Sequence, residues 1–156
     1  MRIVDVLKED YIMPDLKARD KSGLLSEMVE YLCEKLPELD RDELLGALNE
    51  RERLGTTGIG HGVAIPHGKL RGARKIMVFF GRSRRGVDFN SIDRSPVYLF
   101  FLIIAPENSA AAHLKLLACL SRILKNQDFR IRLMNASSPS DIFSLIIEAD
   151  SKTTPS

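Results

Sequence analysis

Val97-Tyr-Leu-Phe-Phe-Leu-Ile-Ile-Ala105 is a run of nine residues without a charge. A strand with one wet face alternates polar and apolar side chains, so a run apolar at nearly every position reads as a central strand covered by helices on both sides. Pro96 and Pro106 bound it, and it is far shorter than the roughly 20 residues that a membrane span needs. Outward from it, Lys75–Gly81 (Lys-Ile-Met-Val-Phe-Phe-Gly) is a second apolar, β-rich run on the N-terminal side. On the C-terminal side Ser109–Lys125 carries Leu116, Leu117, Leu120, Ile123 and Leu124 at helical spacing. Buried strands between helices predict an α/β fold, a three-layer sandwich. The order of elements is not strictly β-α-β-α, so the sheet is expected to be mixed, with helices on both faces.

Further helices follow from their caps and periodicity. Asp20 is a good N-cap for a helix through Leu36, with Leu24, Leu25, Met28, Val29 and Leu32 on one face and Pro37 at its end. Asp40, with Glu43 three residues on, opens a second helix to about Arg53, which Gly55 stops. Asp128–Met134 is a shorter helical piece. Ser138-Pro139-Ser140-Asp141 places proline at the first position of a last helix through Ile142, Leu145, Ile146 and Ala149. Residues Gly55–Gly72 hold six glycines and one proline and are expected to form no long regular element. The chain reads as a single domain over residues 1–150, with Ser151–Ser156 as a flexible tail.

The bulk composition excludes several classes. At 156 residues, 44% hydrophobic and 28% charged, the chain can bury a core and has no bias towards disorder. A net charge of +2 does not call for nucleic acid. The basic runs at Lys69–Lys75 and Arg82–Arg85 read as solvated loop surface. Cys33 and Cys119 form no Cys-x-x-Cys pair and no zinc pattern; they read as reduced core thiols, in keeping with a cytoplasmic protein. The N-terminus lacks the apolar core and cleavage site of a signal peptide, so no membrane insertion is expected.

The chemistry rests on scarce residues. There are three histidines, His61, His67 and His113. His67 follows Pro66 and precedes Gly68; the proline pushes Ile65 to an extended conformation and Gly68 permits a positive φ, so the ring is expected on a stiff, exposed turn. Glycines 58, 60, 62 and 68 leave backbone N–H groups open to an anion. A neutral imidazole among such donors suits receipt of a phosphoryl group. From spacing alone, a histidine that only fills a turn fits as well. His113, near the start of its helix, can donate to an anion beside free N–H groups, or simply be an exposed or capping residue. Arg51 in Glu-Arg-Glu-Arg (50–53) can fork onto phosphoryl oxygens, or belong to a solvated charged face. No P-loop ending, dinucleotide fingerprint, His-Glu-x-x-His or Gly-x-Ser-x-Gly is present.

These residues fall into a longer pattern. Arg51-Glu-Arg-Leu-Gly-Thr-Thr-Gly-Ile-Gly-His-Gly-Val-Ala-Ile-Pro-His67-Gly-Lys resembles the active-site segment of the fructose/mannitol-type enzyme IIA proteins of the bacterial phosphoenolpyruvate phosphotransferase system. A second match joins Ser95-Pro-Val-Tyr-Leu-Phe-Phe-Leu-Ile-Ile-Ala-Pro to His113-Leu-Lys-Leu-Leu-Ala-Cys-Leu-Ser-Arg, and the likeness spans about residues 2–149. The resemblance implies a type-2 EIIA domain in which His67 accepts the phosphoryl group through Nε2, with His113 and Arg51 flanking it. It implies an HPr-like (NPr) phosphocarrier as donor, and neither a metal nor an organic cofactor. Gly68-Lys-Leu70 and the lack of attached IIB or IIC domains look like the nitrogen-regulatory branch. Its partners would be effectors such as a transporter or a sensor kinase. A fructose- or mannitol-type sugar-transport component passing phosphate to a IIB domain is the alternative. His61 stands where many relatives carry Asn, as a second imidazole expected near the site.

Overall fold

The computed structural model describes residues 1–153. In chain order the elements are β1 (Ile12–Met13), α1 (Lys21–Lys35), α2 (Arg41–Arg53), β2 (Gly58–Gly60), β3 (Val63–Ala64), β4 (His67–Leu70), β5 (Met77–Val87), β6 (Val97–Pro106), α3 (Ala110–Leu124), α4 (Gln127–Asn135) and α5 (Pro139–Thr153), with 3-10 turns at Ile3–Asp5 and Glu9–Tyr11. The helix starts obey local chemistry. The carboxylates of Asp20 and Asp40 accept from the Gly23 and Glu43 amides, and the Asn126 carbonyl oxygen accepts from Phe129 N–H. Ser138 Oγ accepts from Asp141 N–H ahead of α5. That last helix runs on to Thr153, so 151–153, expected in the tail, are helical; the rest of that expected tail, residues 154–156, lies outside the described residues.

β6 is the axis of a six-stranded mixed sheet ordered β1-β5-β6-β3-β2, with β4 also paired to β6. β5 lies antiparallel along one edge of β6, and β3 and β4 lie parallel along the other. Val63 pairs with Leu99 and His67 with Ile103, so the 36-residue offset is unchanged across Ile65 and Pro66. β3 and β4 are therefore one line of chain beside β6. Pro66, which has no N–H to offer the ladder, contributes its carbonyl to Ile103 N–H at 2.8 Å. The segment expected to hold no long regular element is made of three short strands, each paired with a neighbour.

Helices cover both faces, as consecutive positions of β5 show. A Cβ on Gly81 would lie 2.6 Å from Leu16 Cδ1 and 3.1 Å from Met28 Cε of α1. The next side chain, Arg82, reaches the end of α4. Successive residues of a strand point to opposite faces, so α1 and α4 lie on opposite sides. α2 packs with α1, and α3, α4 and α5 pack together. Phe79, Phe80, Phe100 and Phe101 are fully buried between the layers, as the apolar run of β6 predicts. Among the described residues no helix is long and apolar enough to cross a membrane.

Arg82 departs from expectation. The run Arg82–Arg85 belongs to β5, which is longer than its apolar part, and Arg82 is among the largest fully buried side chains. Its Nε–H donates to Pro14 O at 3.0 Å, and Nη1 donates to Leu133 O at 2.9 Å and Ala136 O at 2.7 Å. Burial pushes its pKa down, and the charge is held by carbonyls at the negative end of α4. Both cysteines are free thiols. Cys33 is half-buried, while burial, and then the Asp150 carboxylate 2.9 Å away, push the Cys119 thiol up to about 11. Asp150 also accepts from Ile3 N–H at 2.7 Å, which fastens the N-terminal turn to α5.

Replacing Arg82 by Leu leaves several buried carbonyls unsatisfied. Arg82→Leu is expected to lower stability by about 2–3 kcal/mol in urea denaturation; a loss below about 0.5 kcal/mol would show that the carbonyls find other donors.

Candidate active site

Gly68 sets the geometry around His67. A Cβ there would lie 3.2 Å from Ala47 Cβ and 3.6 Å from Leu48 Cδ2, so α2 rests directly on β4. Arg51, one turn beyond Ala47 on the same helix face, is thereby brought to His67. Gly68 does not adopt a positive φ, unlike Gly55, Gly60, Gly62 and Gly86. The expected exposed turn is therefore absent: His67 is half-buried and begins a strand. Of the other glycines, Gly58 gives its N–H to Thr56 Oγ1 at 3.1 Å. Gly58 packs against Ser91, Gly60 against Asp93 and Gly62 against Tyr98.

Two bonds fix the His67 tautomer. Nδ1 lies 2.9 Å from Ile65 O, and a carbonyl can only accept, so Nδ1 carries the hydrogen. Nε2 then keeps its lone pair, onto which Arg51 Nε–H donates at 3.0 Å. Arg51 Nη1 donates to Gly55 O at 2.8 Å, which closes the loop after α2 over the site. Burial lowers the His67 pKa below 6.5; the Ile65 carbonyl pulls it up, while Arg51 and Lys69 push it down and Glu52 pulls it up.

His113 meets His67 edge-on, with ring centroids 4.9 Å apart and planes at 86°. Ser109 closes the turn between β6 and α3 by donating its hydroxyl to Pro106 O at 2.6 Å, and its backbone carbonyl accepts from His113 N–H at 2.9 Å. The backbone of His113 is thus already bonded, and the ring is buried, contrary to an exposed or capping role. Its Nε2 is buried without a hydrogen-bond partner. Orphaned buried polar atoms are rare, and this one belongs to the ring that packs on His67. Burial, then His67, Lys69 and Arg51, lower the His113 pKa.

Two contributors were not singled out in the sequence. Glu52, its carboxylate 5% exposed, pairs with Lys21 Nζ at 2.9 Å and accepts from Thr57 N–H at 3.0 Å and from the Thr57 hydroxyl. It pins the loop that orients Arg51, yet within Glu-Arg-Glu-Arg it reads as one more solvated charge. Lys69 lies two residues beyond His67 on the same side of β4 and acts on both rings. His61 does not belong to the site. It sits at φ 57° in the β2–β3 turn, its N–H bonded to Asp93 at 3.2 Å, with β3 and the Ile65–Pro66 link, about 13 Å of extended chain, between that turn and His67. Among the described residues no group of three or more His, Cys, Asp or Glu is placed to hold a metal ion.

An open α/β sheet that presents one imidazole to an arginine, with a second imidazole packed on its ring, defines a histidine-centred candidate site. The sequence model described as phosphoenolpyruvate-dependent sugar phosphotransferase system, EIIA 2, matches residues 5–149, and the chain belongs to that family. It is 40% identical over 146 residues to a nitrogen regulatory protein of Bradyrhizobium diazoefficiens, covering 94% of this chain and 95% of that one. It is 41% identical over 109 residues to a fructose-specific EIIA component of Haloferax volcanii, covering 70% of this chain and 71% of that one. The crystal structure of nitrogen regulatory protein IIA-Ntr from Neisseria meningitidis superposes with a TM-score of 0.84 at 33% identity, over 91% of this chain and 97% of that one. Members of this family are phosphotransfer proteins.

The lowered imidazole pKa values carry a stability signature. Below 6.5 the unfolded chain binds protons on His67 and His113 before the folded chain does, so stability falls as pH drops from 6.5 towards the folded values. Urea unfolding from pH 7.5 to 5.5 is expected to show this fall, and His67→Gln/His113→Gln is expected to flatten it. An unchanged slope in the double variant would place the pH dependence elsewhere.

Proposed function

We propose that His67 carries a phosphoryl group on Nε2, received from an HPr-like (NPr) phosphocarrier, and that His113 and Arg51 flank it. The observation that carries the reading is the His67 ring, whose bond to the Ile65 carbonyl leaves the lone pair on Nε2, packed against a His113 ring whose buried Nε2 has no partner. Arg51 leaves the lone pair and turns its guanidinium to the phosphoryl oxygens. Nε2 attacks phosphorus; the new N–P bond forms as the bond to the carrier imidazole breaks, and that electron pair returns to the carrier. Nδ1 keeps its hydrogen on Ile65 O, which stabilises the charge developing on the ring. His113, with hydrogen on Nε2, donates to a phosphoryl oxygen, and Lys69 adds a further positive charge. No step calls for a metal or an organic cofactor. Residues 1–150 act as one domain, in the cytoplasm.

The regulatory role, in which phosphorylation alters binding to effectors such as a transporter or a sensor kinase, is supported by 40% identity to a nitrogen regulatory protein along nearly the whole of both chains. Transfer to a IIB domain in fructose- or mannitol-type sugar transport is the second reading, which the fructose-specific relative favours. Pull-downs with phosphorylated and unphosphorylated protein separate the two: a IIB partner supports transport, a transporter or sensor kinase supports regulation.

Incubation with phosphoenolpyruvate, enzyme I and a phosphocarrier is expected to add one acid-labile phosphoryl group, which His67→Ala abolishes; labelling that survives in that variant would sink the assignment. Arg51→Ala is expected to slow transfer by on the order of 100-fold while the thermal midpoint stays close to that of the parent. Leu54 and Leu114 are 80% and 68% exposed beside Arg51 and His113, and form an apolar rim for the phosphocarrier. Leu114→Glu is therefore expected to raise the concentration of carrier needed for half-maximal transfer, with the maximal rate retained.

A further inference from the structure

At the end of the sheet away from His67, two stretches of chain bow apart. β1 pairs with β5 at Ile12–Phe80 and Met13–Gly81, and the same 68-residue offset returns in the bridge between Asp20 and Asp88. Leu16 N–H still reaches Arg82 O at 2.9 Å and Asp88 N–H reaches Arg19 O at 2.9 Å, and between these two bonds the chain opens over residues 17–18 and 83–87. β5 also slips against β6 there. From the pair Arg82–Leu99 to the pair Val87–Val97 it advances five residues while β6 advances two. Such a bulge re-aims side chains, and here it turns two successive residues, Arg84 and Arg85, to solvent. The bulge is held from beneath: buried Ser83 Oγ accepts from Gly86 N–H at 3.0 Å, and Gly86, at φ 90°, leaves room for Pro96 and Tyr98.

The opening forms two adjoining hollows of about 340 and 370 Å³ that share Arg19 and Arg85. Their walls carry Lys17, Arg19, Arg84, Arg85 and Arg94 against Asp15 and Asp88, a net +3 where the whole chain has +2. Asp15 is engaged by Arg84 at 3.5 Å. Lys17, Arg19, Arg85 and Arg94 have no ion-pair partner among the described residues. Uncompensated like charges repel one another, and the fold holds them together on a bulged strand where a straight one would separate them. Val97 and Ile103 are six residues apart on β6, so the groove lies about 20 Å from the His67 end.

We propose that this groove docks an acidic segment of a partner protein, with successive carboxylate side chains seated in the two hollows on either side of Arg19 and Arg85. The hollows are open and their cations are borne on exposed side chains. Their buried hydroxyl, Ser83 Oγ, is already bonded. That character suits a protein surface better than a small anion, which is usually enclosed by converging donors. Both faces can be occupied together, so an effector can stay bound while the histidine site is visited.

The test uses a fluorescein-labelled deca-glutamate peptide as the acidic probe. At low ionic strength it is expected to bind the parent protein, to weaken with added salt, and to shift amide signals of residues 15–19 and 83–88. Arg19→Glu/Arg85→Glu is expected to weaken binding at least about tenfold, with the amide spectrum still that of a folded protein. Lys75→Glu/Lys125→Glu, which changes net charge equally, is expected to weaken it less than about twofold. Equal losses in the two variants, or shifts centred on His67, overturn the proposal. So does a groove that binds ATP with the same sensitivity to Arg19→Glu/Arg85→Glu while ignoring the peptide. None of these readouts uses phosphoryl transfer, so they stand apart from the His67 reading.

Discussion

Gly68 has no side chain, and α2 lies against β4 in the space this leaves, with Ala47 3.2 Å from where a Cβ would be. That one close approach carries the geometry of the site. It brings the last turn of α2 over the start of β4, so Arg51 reaches Nε2 of His67 and the adjacent Glu52 turns inward to Lys21 and Thr57. Those bonds fix the loop whose Gly55 carbonyl holds the other side of Arg51. From the opposite direction, the end of β6 and the Ser109 turn set α3 so that His113 closes on the same ring. Three elements distant in sequence converge because each is pressed onto the same edge of the sheet.

The electrostatics follow from that convergence. Burial, with Arg51 and Lys69 close by, lowers the pKa of both imidazoles, so positive charge near the rings is carried by those two side chains. At the opposite end the same sheet gathers a second set of cations by another device, a bulge that breaks side-chain alternation. Arg82 lies between the two and plays neither part; its charge is spent on carbonyls at the end of α4. Three positively charged regions on one chain of nearly neutral net charge thus differ in burial and in the partners the fold gives them.

Much of the architecture was legible in local sequence. The caps at Asp20 and Asp40, the proline opening α5 and the uninterrupted apolar run of β6 each act through neighbours a few residues away, and all appear where they were expected. The site was legible in a different way. Taken singly, Arg51, His67 and His113 each had a bland reading, and the likeness of the surrounding segments to a known family linked them; the fold brings those three side chains together. Glu52 was not legible, because a carboxylate in a charged helical run carries no mark of the partners it meets across another helix.

By itself the sequence determined the helices and the apolar parts of β5 and β6, that the sheet is mixed and covered on both faces, and which few residues are candidates for nucleophilic or anion-binding chemistry. These properties rest on periodicity, caps and side-chain chemistry, all local. Only the tertiary structure decided that His67 begins a strand and does not sit on a turn, that His61 lies outside the site, that Arg82 is buried, and that Arg19 and Arg85 share a groove. Each of these depends on pairing across tens of residues, where a register or a close contact, and not the neighbouring sequence, sets what a side chain meets.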